Sequence, residues 1–110
     1  MVSQLFIGRD CKAYPPGREP FEVKVGIYQP VPQADHSWRC DLYLGDILKD
    51  ERCGLGVDEW SALQAGMQMV WLELAFRKSV GWHFEFWDGQ SDDVDELLPQ
   101  WGQCLPSGFE

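Results

Sequence analysis

Phe21-Glu22-Val23-Lys24-Val25-Gly26-Ile27-Tyr28 places Phe21, Val23, Val25 and Ile27 on one face of an extended chain. Trp38-Arg39-Cys40-Asp41-Leu42-Tyr43-Leu44 does the same with Trp38, Cys40, Leu42 and Leu44. Period two with one apolar face is the signature of a strand packed on a core from one side only. Pro30-Val31-Pro32 ends the first run and Gln33 to Ser37 supply the turn. Gly45-Asp46 closes the second, and a third short strand is expected around Arg52 to Leu55. Consecutive strands joined by short polar turns predict an antiparallel meander. A short first strand is expected over Gln4 to Ile7. Residues 14–20 read as a loop, because three prolines and a glycine exclude helix and central strand.

The chain then changes period. Asp58 to Lys78, DEWSALQAGMQMVWLELAFRK, contains no proline. Asp58 reads as the N-cap, its carboxylate accepting from the free amides of the first turn. Glu59 suits the positive end of the helix dipole and Arg77-Lys78 the negative end. Gly81 is a natural stop. At about 100° per residue, Trp60, Leu63, Met67, Val70 and Leu74 form one apolar stripe. Ala62, Ala65, Met69, Leu72 and Phe76 form a second, nearly opposite. Two stripes predict two neighbours. The sheet is one, and the aromatic-rich segment 82–101 is the expected cover for the other, with a second molecule as the alternative.

After the helix, Trp82, Phe84 and Phe86 alternate with His83, Glu85 and Trp87, a further strand. Asp88-Gly89 signals a turn. Ser91-Asp92-Asp93 reads as the cap of a short helix ended by Pro99. The expected fold is therefore α+β: an antiparallel β-meander packed against one long α-helix, with an additional strand and short helix from the C-terminal third. With 110 residues the chain is expected to be one domain, 1–110, with an irregular tail over 102–110.

Composition narrows the function. Hydrophobic residues are 45% and charged residues 25%, as in ordinary globular proteins. No apolar run approaches the roughly 20 residues that span a bilayer. The first ten residues show no basic n-region, so the cytoplasm is the expected compartment. Eighteen acids face nine bases, a net charge of −9, which argues against nucleic-acid binding. The excess is uneven. Residues 79–110 hold seven acids and no Lys or Arg, whereas residues 1–78 hold eleven acids and nine bases. A solubilising surface is one reading, and an electrostatic surface for a basic partner is the other.

Signatures of chemistry are sparse. Cys11, Cys40, Cys53 and Cys104 show no C-x-x-C spacing, and His36 and His83 stand far from them. Free thiols are expected, and no metal or cofactor. Gly54-Leu55-Gly56 lacks the third glycine of a dinucleotide fingerprint and reads as a turn. Asp92, Asp93, Asp95 and Glu96 lack the pattern of a calcium loop. His83 and Glu85 share a face and can form an acid/base pair, although an edge histidine beside an acid is the simpler reading. No enzyme is expected. Trp87 and Trp101 flank the acidic segment. Trp101 is expected in the core, and Trp87 at an interface. The candidate partner-binding residues are Glu85, Trp87, Asp88, Asp92, Asp93, Asp95 and Glu96.

The run Trp38-Arg39-Cys40-Asp41-Leu42-Tyr43-Leu44-Gly45, with Gly56-Val57-Asp58-Glu59-Trp60-Ser61-Ala62-Leu63-Gln64-Ala65, resembles a family of small bacterial proteins of undefined function. Gly26, Pro30 and Pro32 fit its preceding region. The resemblance covers about residues 21–74. Ser61 stands where the family usually has Gln, and Gly66 where it has Ala. Members look like the immunity proteins that accompany secreted bacterial toxins. The resemblance implies a protein that binds and occludes a cognate toxin enzyme, a partner with a basic surface, and it transfers no catalytic residue. A homodimeric structural or adaptor protein and a chaperone for a secreted effector are the alternatives.

Overall fold

Alternation along residues 21–28 and 38–43 produces two paired strands, and a nine-residue strand before them completes the sheet centre. The computed structural model describes residues 6–98. Its strands are β1 (Phe6–Tyr14), β2 (Phe21–Tyr28), β3 (Val31–Pro32), β4 (Trp38–Tyr43), β5 (Cys53–Gly56) and β6 (His83–Phe86). One helix, α1 (Glu59–Ser79), and 3₁₀ turns at Gly45–Ile47 and Val94–Leu97 complete it. Every pairing is antiparallel. The expected α+β architecture is present.

The order across the sheet runs from β5 through β4, then β2 with β3, then β1, to β6. Ile27 pairs with Leu42, and Val31 with Arg39. Three residues on one side thus span two on the other. β2 and β3 are therefore one strand broken by a bulge at Tyr28 to Pro30, where proline has no N–H to give a ladder. β6 does not extend the meander. It crosses back to lie beside β1, pairing Cys11 with Phe86 and Ala13 with Phe84.

One face of the sheet is covered by α1 and the other is open. Cys11, Ala13, Val25, Ile27, Cys40, Phe84 and Phe86 are buried on the covered face. The helix crosses mainly β5 and β4. Its ends are as expected: Asp58 accepts from the Ser61 amide at 2.7 Å, and Gly81 follows the last turn at φ 109°. The capping bonds hold the Asp58 carboxyl below its usual range.

The buried stripe of α1 is Ala62, Gly66, Val70 and Leu74. Leu63 and Met67 are only half-buried on its flank, and Trp60, on the same expected stripe, is 68% exposed. The reason is the helix–strand seam. A Cβ on Gly54 would meet Ala65 and Gly66 backbone, one on Gly56 would meet Ser61 and Ala62, and one on Gly66 would meet Cys40. Small residues bring helix and strand into contact, so the contact face follows side-chain size rather than hydrophobicity. Gly54-Leu55-Gly56 is thus not a turn but β5 itself.

Other expectations change. The first strand extends over Phe6–Tyr14, not Gln4 to Ile7. The second stripe is covered only in part: Ala62 is buried and Ala65 and Met69 are half-buried, but Leu72 is 48% and Phe76 60% exposed, and the 82–98 segment does not cover them. The segment after β6 covers a different part of α1, where Trp71 Nε1 donates to Asp95 Oδ1 at 2.8 Å. The expected short helix is a 3₁₀ turn capped by Asp93, not by Ser91 or Asp92. Trp101, Cys104 and the 102–110 tail lie outside the described residues.

Candidate functional site

Antiparallel partners share a face, so the register lists the side chains of the open face. Asp10 pairs with Lys24, Lys12 lies between Glu22 and Glu85, and Tyr14 stands opposite His83. Glu85 is the best anchored of these. Its Oε1 accepts from the Tyr14 hydroxyl at 2.8 Å, and its Oε2 lies 3.3 Å from His83 Nε2. The Tyr14 and His83 rings tilt against each other at 5.3 Å. The bond donated to Glu85 pushes the Tyr14 phenol pKa up, and the carboxylate charge adds to it.

These residues border an open groove of about 680 Å³. Asp10, Glu22, Glu85 and Asp88 line it against Lys12 and Lys24, so carboxylates outnumber ammonium groups. Trp87 closes one side. The Asp10–Lys24 pair, at 4.0 Å and well exposed, contributes little to stability. The lining therefore carries a net negative charge.

The wall formed by Trp87 has unusual backbone. Trp87 and Asp88 both have φ 54°, and Gly89 has φ 86°. Three consecutive left-handed residues make a tight turn, closed by Gly89 N–H to Phe86 O at 3.2 Å and Gln90 N–H to Trp87 O at 3.2 Å. Phe86 and Ser91 then pair again, at 2.7 Å from Phe86 N–H to Ser91 O. A tryptophan in this region is strained by on the order of 1–2 kcal/mol. Arg9 offsets part of that. Its guanidinium stacks 4.6 Å from the Trp87 ring centroid and 5.7 Å from that of Phe86, and its Nη1 donates to Glu96 O at 3.4 Å. Trp87 is still 46% exposed.

The sequence-derived candidates thus fall into two groups. Glu85, Trp87 and Asp88 line the groove. Asp92, Asp93, Asp95 and Glu96 follow on the helix side, where the Val94–Leu97 turn packs on α1. Two of these have structural duties, Asp93 as the cap of that turn and Asp95 as acceptor for Trp71. Arg9 and Tyr14 were missed. Both belong to β1, and the alternation Arg9, Cys11, Ala13 was the available signal.

Other chemistry is limited. Among the described residues no cluster of three or more His, Cys, Asp or Glu side chains is arranged to hold a metal ion. Burial pushes the Cys11 thiol up to about 12 and, with the Asp41 charge adding, the Cys40 thiol to about 11. Neither is a nucleophile at neutral pH. Cys53 is free and half-buried. Among the described residues no helix is long and apolar enough to cross a membrane. His36 sits exposed in the Gln33–Ser37 turn at φ 71°.

No curated protein and no solved structure matches the chain. A family model does match, over residues 12–94, which include β2 to β6, α1 and the end of β1. The chain belongs to the family described as domain of unknown function DUF6968.

Proposed function

We propose that this chain is a protein-binding module that receives a basic segment of a partner in the groove on its open sheet face. One observation carries the reading: four carboxylates converge beside an exposed tryptophan that Arg9 holds in a strained turn. Trp87 is the anchor, because a rigid half-exposed aromatic is the residue type that dominates binding energy. Glu85 and Asp88 supply the charge, which governs approach rate and register more than final affinity. The finer reading is an immunity-type protein that occludes the basic cleft of a secreted bacterial toxin. It is supported by the family resemblance over residues 21–74 and by the net charge of −9.

The test is protection. A candidate toxin domain taken from the neighbouring genes is expressed with the chain. Wild type should restore growth, and the Trp87→Ala/Asp88→Lys variant, with an unchanged melting temperature, should not. Trp87→Ala alone should weaken binding about 30-fold, equivalent to roughly 2 kcal/mol. Full protection by the double variant would remove the groove from the interface. Binding without toxicity in the partner would keep the groove and discard the immunity role.

A further inference from the structure

Helix α1 lies over the β5 end of the sheet, and its other flank stands off β1 and β2. A cleft of about 220 Å³ remains there, between Ile7, Val25 and Ile27 on the strands and Leu63, Met67 and Val70 on the helix. A second cleft, of about 400 Å³, shares Ile7, Ile27 and Leu63 with the first and runs on to Pro30 and Trp60. The two make one apolar trough. Its charged members, Arg9 and Glu59, are one of each sign, so charge selects neither a basic nor an acidic occupant. Ile7 and Trp60 stand exposed at its walls, and contiguous apolar surface of this kind marks a place that something covers.

The described residues end at this trough. Leu97, in the turn packed on α1, lines it together with Val70 and Met67. Pro99-Gln100-Trp101-Gly102-Gln103-Cys104-Leu105-Pro106-Ser107-Gly108-Phe109-Glu110 follows, and it carries no charge before Glu110. Its large apolar residues are Trp101, Leu105 and Phe109. Four residues of chain from Leu97 reach at most about 13 Å, and eight about 26 Å. Along the helix, Val70 to Leu63 is about 10 Å and Val70 to Trp60 about 15 Å. Trp101 can therefore reach the nearer half of the trough and Leu105 the farther half.

We propose that the occupant of this trough is the chain's own segment 99–110, with Trp101 between Ile7 and Met67 and Leu105 against Trp60. Three observations select it. The trough is apolar and without charge surplus, and so is the segment. Leu97 delivers the segment to one end of the trough, and its length matches the run to the other end. A tethered segment also acts at a high effective concentration, whereas a second copy of a chain with net charge −9 must first overcome repulsion. The segment thus supplies the cover for β1 and β2 that α1, held over β5, does not give. The proposal is independent of what the acidic groove on the open face binds.

Footprinting and a cross-link on the full chain test this. Met67 lines the trough, and Met69, equally half-buried among the described residues, stands on the other flank of α1 as an internal reference. Under hydroxyl radicals, the oxidation of Met67 relative to Met69 should rise several-fold in Trp101→Ser/Leu105→Ser. For the cross-link, Glu59→Cys in a Cys53→Ser background should join the native Cys104 within one chain under mild oxidant, because Glu59 lines the far half of the trough. Leu72→Cys, exposed on the other flank, should not. If the double serine variant does not fold, the cross-link decides alone. An unchanged Met67 ratio in a folded variant overturns the proposal. So does a Cys104 that joins Leu72→Cys as readily as Glu59→Cys, or that joins neither. Disulfides formed only between chains would give the trough to a second copy and overturn it as well.

Discussion

Gly66→Ala tests the account of the helix–strand seam, because two general effects compete there with opposite sign. In a solvated helix, Gly→Ala stabilises by about 1 kcal/mol, since alanine loses less backbone freedom on folding. At Gly66 the new methyl would lie 2.5 Å from Cys40 Sγ, 3.1 Å from Cys40 Cβ and 3.4 Å from Ile27 Cγ2. Cys40 is fully buried, and its thiol donates to Tyr28 O at 3.3 Å, so it has little room to retreat. Forcing a methyl into a packed core costs typically 1–3 kcal/mol. The overlap should win, leaving a net loss of up to about 2 kcal/mol. For a domain of this size, each kcal/mol corresponds to roughly 4 °C in melting temperature.

Cys40→Ala separates overlap from other causes. Alone it destabilises, since it leaves a small cavity and an unpaired carbonyl. In the Gly66→Ala background it removes the clashing sulfur, so the two losses should fall short of adding by about 1 kcal/mol or more. Urea denaturation of the four proteins measures that coupling. A Gly66→Ala protein more stable than wild type would refute the seam, and so would strict additivity. Gly54→Ala supplies the contrast. Its neighbours are the backbone atoms of Ala65 and Gly66, which cannot rotate away, so its loss should exceed that of Gly66→Ala.

Asp58→Ala should cost about 0.5–2 kcal/mol in chemical denaturation, by removing the acceptor for the Ser61 amide. Because the folded carboxyl titrates below its unfolded value, this contribution is present above the unfolded pKa and disappears as pH falls through the folded one. The difference between wild type and variant should therefore vanish in acid. At high pH the buried thiols set the trend. Cys11 and Cys40 ionise near 12 and 11 when folded but near the ordinary thiol value when unfolded, so their contribution is complete below that value and lost as pH rises towards the folded ones. Stability should fall by up to about 1.4 kcal/mol per pH unit per thiol in that window, and Cys11→Ala should flatten the slope. An unaltered slope would mean that Cys11 is not shielded from water.

Strands β2 and β4 were legible because each has one apolar face and a proline or glycine at its end. The helix bounds were legible because Asp58 and Gly81 carry their own local chemistry. β1 was not. Asp10 and Lys12 stand on its open face and Arg9 interrupts its covered face, so no apolar alternation extends beyond Cys11 and Ala13. The rotation of α1 was misread because hydrophobicity gives weight to Trp60 and none to Gly66. Facing a glycine-bearing strand, the helix presents its smallest side chains, and the large ones take the flanks. Among the site residues, the acids and Trp87 were visible in composition. Arg9 and Tyr14 were hidden with their strand, and only the β1–β6 pairing brings them to Trp87 and Glu85.

The seam and the groove follow from one division of labour. Helix α1 needs only one face of the sheet, and glycines at positions 54, 56 and 66 let it sit over the β5 end. That placement leaves the β6 end to be closed by other means. The chain closes it with the Trp87 turn and the Val94–Leu97 segment, tied to the sheet by Arg9 and to the helix by the Trp71–Asp95 hydrogen bond. The price is a strained tryptophan, and strain of this kind persists only where surrounding contacts over-determine it. The same placement puts the acidic groove at the end of the sheet away from the helix.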